Sequence, residues 1–144
     1  MDWMFVPIRR YADFKGRSRR TEYWSFMLFQ LAVYALVVTP EFIGEPAADG
    51  ELKLSTQILL GAAMLFFALP TLAVQVRRMH DRGRSGWWLL ITFWPYIGIF
   101  WLFVYMLWPG TKGPNDYGPD PRVRPGTRDD EAIARARYDQ HFRY

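Results

Sequence analysis

His80 and Asp81 stand side by side in a short stretch that also holds Arg77, Arg78, Arg82 and Arg84. Adjacent His and Asp can contribute to a two-metal phosphohydrolase centre, or act as an acid–base pair on a phosphate ester. A metal centre needs further ligands. The only other histidine is His141 and the chain has no cysteine, so no metal or other cofactor is expected and thiol chemistry is excluded. The plainer reading is structural: Asp81 caps the next helix or pairs with a neighbouring arginine, and His80 sits at lipid-headgroup depth. A second basic group, Arg17, Arg19 and Arg20, lies upstream beside Glu22. Arginines this dense can bind anionic headgroups, each worth about 1 kcal/mol near an anionic membrane surface. Enforcing orientation would by itself explain them.

Three uncharged runs must position these residues. Tyr23–Pro40, Leu54–Val76 and Ser85–Thr111 contain no Asp, Glu, Lys, Arg or His. A membrane span needs roughly 20 mostly apolar residues, so each run is long enough or nearly so. Pro40 is expected to end the first run and Pro70 to kink the second. The third run opens at Trp87-Trp88, holds Trp94-Pro95 and closes at Trp108-Pro109-Gly110. It suits one span with interfacial ends, the favoured reading, or a broken, re-entrant segment. The first fourteen residues mix Trp3, Phe5, Ile8, Tyr11 and Phe14 with Arg9 and Arg10 at helical spacing, which predicts a short helix in the headgroup layer. Ser18 is the expected cap of the following helix. No cleavage site follows the first run, so it reads as a retained anchor.

Basic residues set the sidedness. Six Lys or Arg precede the first run, one lies in the acidic segment 41–53, and four separate the second run from the third. Short basic loops stay cytoplasmic, which predicts a cytoplasmic N-terminus and His80 loop. Arg17, Arg19 and Arg20 then share one face with Arg77, Arg78, Arg82 and Arg84. Glu22 at the same level is expected to pair with Arg78 or Arg82, because a carboxylate at headgroup depth is costly alone. The tail carries seven Lys or Arg against six acids, which leaves its side open. None of the three runs contains a charge, which argues against an ion-coupled transporter. Nucleic-acid binding, which needs a basic face off the membrane, is not expected.

Three blocks carry a family resemblance. Phe14-Lys15-Gly16-Arg17-Ser18-Arg19-Arg20-Thr21-Glu22-Tyr23-Trp24 resembles the "FxGRxxRxEYW" opening of the domain of unknown function 805 family, small bacterial inner-membrane proteins. Arg78-Met79-His80-Asp81-Arg82-Gly83-Arg84-Ser85-Gly86-Trp87-Trp88 resembles its "RxHDxGxSGWW" block, with Arg82 where a smaller or polar residue is common. Gly110 to Pro121 resembles its "GtxGxNxYGxDP" ending. The resemblance implies the bacterial inner membrane and carries no established activity.

The expected fold is therefore an all-α membrane protein with three hydrophobic transmembrane segments, about 23–43, 54–76 and 87–108, the third open to being broken or re-entrant, plus an N-terminal interfacial helix. Residues 1–121 form the membrane domain and 122–144 a charged tail. The expected role is non-catalytic, a basic cytoplasmic face contacting anionic lipid or a partner protein through Arg17, Arg19, Arg20, Glu22, Arg78, His80, Asp81 and Arg82. The rival is a membrane-embedded enzyme or transporter subunit acting on a phosphate-bearing lipid or small molecule.

Overall fold

The computed structural model describes residues 3–44, 52–94 and 96–122. Their order is α1 (Val6–Arg9), α2 (Arg20–Ile43), α3 (Leu54–Asp81), a 3-10 helix (Gly86–Phe93) and α4 (Ile97–Leu107). Among the described residues there is no strand, only an isolated bridge between Asn115 and Gly118. Contacts divide the chain into two compact units, Met1–Phe14 with Thr21–Gln75, and Lys15–Arg20 with Val76–Tyr144. The segment 123–144, expected as a tail, lies outside the described residues.

In the first unit, α2 meets the apolar part of α3 around Phe67. Its ring lies 5.9 Å from Phe26, 6.1 Å from Phe29 and 6.0 Å from Tyr34, each near edge-on. Such pairs contribute about 0.5–1.5 kcal/mol each beyond their buried area. A polar relay runs beside them: Thr71 Oγ1 donates to Gln30 Oε1 at 3.0 Å, and Gln30 Nε2 donates to the Tyr34 hydroxyl at 2.7 Å. In lipid, packing and hydrogen bonds of this kind replace the hydrophobic effect as the force between helices. The outer faces stay greasy, with Leu28, Leu31, Leu36, Ile58 and Leu65 exposed. Both long helices are apolar enough to cross a bilayer yet mostly unburied within the protein, the reverse of a soluble core helix.

The sequence reading needs two corrections at helix ends, and its short N-terminal helix is present. Helix α2 passes through Pro40 and stops at Ile43. Proline removes one backbone donor, while the Thr39 hydroxyl donates to the Ala35 carbonyl at 2.7 Å and the turn closes with Gly44 N–H on the Pro40 carbonyl at 3.0 Å. Ser18 does not cap α2: its buried hydroxyl has no hydrogen bond among the described residues, and its N–H donates to the Arg77 carbonyl at 3.2 Å. Helix α1 is a single turn, and the segment is anchored to its unit by Phe5 edge-on to Phe29 at 5.4 Å and by the Tyr11 hydroxyl on the Phe66 carbonyl at 2.6 Å.

In the second unit the third apolar run doubles back. Helix α3 ends where Gly83 takes a positive φ of 68°, with Arg84 N–H on the Met79 carbonyl at 3.0 Å and Gly83 N–H on the His80 carbonyl at 2.9 Å, the paired bonds of a Schellman stop. Ser85 caps the 3-10 helix through its hydroxyl. That helix ends at Trp94, whose extended backbone (φ −80°, ψ 108°) is what a following proline imposes. Helix α4 then packs on the 3-10 helix, with Trp88 and Trp101 stacked at 5.8 Å. A methyl group on Gly98 would lie 1.8 Å from the Ile91 carbonyl, so only glycine permits this approach. The two ends of the run meet: Thr111 N–H donates to the Asp81 carbonyl at 2.8 Å. Each limb is about 16 Å long at standard helical rises, half the roughly 30 Å hydrocarbon core. Of the two readings of the third run, one span over 87–108 or a broken segment, the structure shows the broken one: the 3-10 helix stops at Phe93, α4 starts at Ile97, and Gly98 lets the two close on each other.

Candidate functional site: an arginine cap around Asp81

Seven of the eight candidate residues fall in the second unit, and two of them, Arg17 and Arg78, hold a third, Asp81, the last residue of α3. Arg17 reaches it from the segment before α2, with Nε on Oδ1 at 3.0 Å and Nη2 at 2.9 Å. Arg78, one turn back on α3, holds Oδ2 through Nη1. The side chains of Arg17, Arg78 and Asp81 are 1%, 0% and 4% exposed, so this is a buried triad. Arg17 uses its remaining donors on backbone: Nη1 on the Gly113 carbonyl at 2.6 Å, Nη2 on the Thr111 carbonyl at 2.6 Å. Every nitrogen of its guanidinium is therefore engaged, which suits a structural tie better than a ligand contact. Arg78 Nη2 donates to the Trp108 carbonyl. The mouth of the hairpin is fixed to the end of α3 by these bonds.

Asp81 thereby pairs with arginines, and the cap of the following helix is Ser85 instead. Its fit depends on Gly110, where an added methyl carbon would lie 1.8 Å from Oδ2. His80 is occupied as well. Its ring stacks on Tyr117 at 4.0 Å and 7°, its Nδ1 lies 3.1 Å from the Gly16 carbonyl, and its own carbonyl accepts from Asn115 Nδ2 at 2.8 Å. Only a protonated Nδ1 can make the contact with Gly16, which assigns the tautomer.

The other arginines form the rim. Arg19 donates from Nε to the Pro121 carbonyl, and Arg20 from Nη1 to the Leu107 carbonyl at 3.1 Å. Arg82 donates to the Pro109 carbonyl at 3.2 Å and lies over the Tyr105 ring, 4.2 Å from its centre. Arg84 lies over Trp88 at 5.2 Å. Glu22, the eighth candidate, belongs to the first unit, where it is buried near the start of α2.

Sequence reasoning missed Asp120 and Arg122. Arg122 pairs with Asp120 at 3.0 Å and donates to the Gly110 and Thr111 carbonyls at 3.1 and 2.8 Å. Burial pushes the Asp120 carboxyl up, but the N–H and guanidinium of Arg122 and the Gly113 N–H outweigh it and hold the group below its ordinary value. The Gly110–Pro121 block reads as a turn in sequence. The surplus of arginine over acid upstream was the available sign that this block must bring carbonyls and carboxylates to them.

A family described as "Protein of unknown function (DUF805)" matches residues 11–119. The chain is 39% identical over 126 residues to Inner membrane protein YhaH of Escherichia coli (strain K12), covering 87% of this chain and 100% of the relative. It is 38% identical over 122 residues to Inner membrane protein YhaI of the same organism, covering 85% and 97%. Uncharacterized protein YiiR, also from that organism, is 28% identical over 143 residues, covering 82% and 87%. No solved structure matches.

Proposed function

The chain belongs to the DUF805 family, and from that premise we propose that it is a non-catalytic protein of the bacterial inner membrane whose arginine cap lies at the cytoplasmic surface and contacts anionic lipid headgroups. In this reading α2 and α3 cross the bilayer, and the Gly86–Leu107 hairpin enters from the cytoplasmic side and returns to it. Two relatives bear the name inner membrane protein, which supports the compartment. The density of Lys and Arg before α2 and after Val76 supports the orientation.

The observation that carries the reading is the meeting of both ends of the third apolar run at Asp81, amid arginines. A greasy hairpin with tryptophans at its mouth and a basic rim is built to sit at an anionic lipid surface. The enzyme reading is weaker because its reagents are engaged: Tyr117 covers one face of His80, Gly16 takes Nδ1, and Arg17 and Arg78 hold both oxygens of Asp81.

Lipids retained through purification in mild detergent test the proposal. Phosphatidylglycerol and cardiolipin should be enriched over their share of the source membrane, and a His80→Gln protein should retain the same enrichment. Recovery of lipid in bulk proportion would remove the headgroup reading. Loss of a cellular phenotype in correctly inserted His80→Gln protein, at normal abundance, would favour the enzyme instead.

A further inference from the structure

One cavity opens within the cap, with Arg19, Arg20, Arg78 and Arg122 in its wall beside Asp81 and Gly110, and a volume of about 60 Å³. About 10–15 Å³ of such space admits one water, so the cavity suits a group of a few heavy atoms. Its wall carries four guanidinium groups against one carboxylate, and that carboxylate has both oxygens engaged by Arg17 and Arg78. Guanidinium groups crowded around a small space repel one another unless an anion lies among them, most of all at Arg78, which is shut away from bulk water.

Unused donors point the same way. Arg78 is fully buried, yet its Nε has no hydrogen-bond partner among the described residues. Buried donors left unpaired are rare and call for an explanation. Arg20 spends Nη1 on the Leu107 carbonyl, and among the described residues its Nε and Nη2 make no hydrogen bond. Arg20 and Arg122 are exposed, which gives a ligand a way in from the surface. The planar guanidinium fork matches the oxygens of phosphate in pairs, and several forks around a small space favour a tetrahedral oxyanion over a planar carboxylate.

We propose that this cavity binds one phosphate group, held by Arg20, Arg78 and Arg122 while Asp81 fixes the position of Arg78. The proposal rests on the lipid-surface reading only for the identity of the donor, since the same chemistry is offered by a lipid headgroup and by free phosphate.

The test uses the full chain in nanodiscs. In uncharged phosphatidylcholine, inorganic phosphate is titrated by calorimetry; in a second arm, discs containing phosphatidic acid or phosphatidylglycerol are analysed for bound lipid by native mass spectrometry. Arg122→Gln and Arg20→Gln are each expected to weaken binding about tenfold or more, the scale of one lost charged hydrogen bond. Lys53→Gln, an equal loss of charge at an exposed residue outside the cap, should leave it within about twofold on the same scale. Arg122 is 42% exposed, so its replacement should still fold. Binding of inorganic phosphate identifies a free-phosphate site, and binding only in the second arm identifies a headgroup. Absence of binding in both arms, or an equal loss in all three variants, overturns the proposal. Anionic-lipid enrichment that persists in Arg20→Gln and Arg122→Gln would reject the cavity while leaving the surface reading intact. Phosphate binding without lipid enrichment in the parent protein would do the reverse.

Discussion

An Asp81→Asn protein should lose about 3–5 kcal/mol of stability, the usual cost of removing one partner from a buried ion pair. The amide keeps the shape but leaves Arg17 and Arg78 as buried charges without a counterion, and its NH2 group would point a donor at a donor. Gly110→Ala should have an effect of similar size without replacing any charged group. Its methyl group would lie 1.8 Å from Asp81 Oδ2, and the contact is with a carboxylate already clamped by two arginines. Thermal unfolding in detergent, followed by size-exclusion profile, checks both. A Gly110→Ala protein with unchanged unfolding temperature would mean that Asp81 does not lie against residue 110.

Arg17→Lys is expected to be nearly as damaging, although it preserves charge. Lysine has one nitrogen where arginine has three in a rigid fork, and it cannot serve Asp81, Thr111 and Gly113 together. The Gly113 carbonyl loses its partner and Asp81 its paired N–H groups, while the Thr111 carbonyl keeps Arg122, so the loss is about 3 kcal/mol. The loss should be local. Hydrogen exchange should quicken at Thr111, whose amide bonds Asp81, and at Gly113, whose amide bonds Asp120. Protection in the Phe67 region of the first unit should be unchanged. Uniform loss across both regions, or none, would show that Arg17 is not the tie between the 15–20 segment and the 111–118 loop.

The family and the membrane setting are legible in the sequence because both are written in local signals: long uncharged runs, tryptophans at their edges, and three motif blocks in order. The convergence of Arg17 and Arg78 on Asp81 is not local. Sixty-odd residues separate Arg17 from Asp81, and the carbonyls that complete the cage come from a third block, Thr111 to Gly118. Nothing in the spacing of Gly110, Gly113 and Gly118 announces that one of them makes room for a carboxylate. The hairpin was half legible: Trp94-Pro95 and Gly98 mark a break, but only the Thr111–Asp81 bond shows that the run returns to its starting level. Pro40 misled for the opposite reason, since a proline near a helix end costs one backbone donor and the helix still runs on to Ile43.

Re-entry of the third apolar run is most directly tested by where residue 112 lies. The chain has no cysteine, so single cysteines introduced at exposed Arg84, Lys112 and Phe42 can each be labelled alone. With a membrane-impermeant maleimide applied to intact spheroplasts, Phe42→Cys should label, while Arg84→Cys and Lys112→Cys should label only after the inner membrane is permeabilised. Labelling of Lys112→Cys from outside, with Arg84→Cys still protected, would mean that residues 86–107 cross the bilayer completely and would contradict the hairpin.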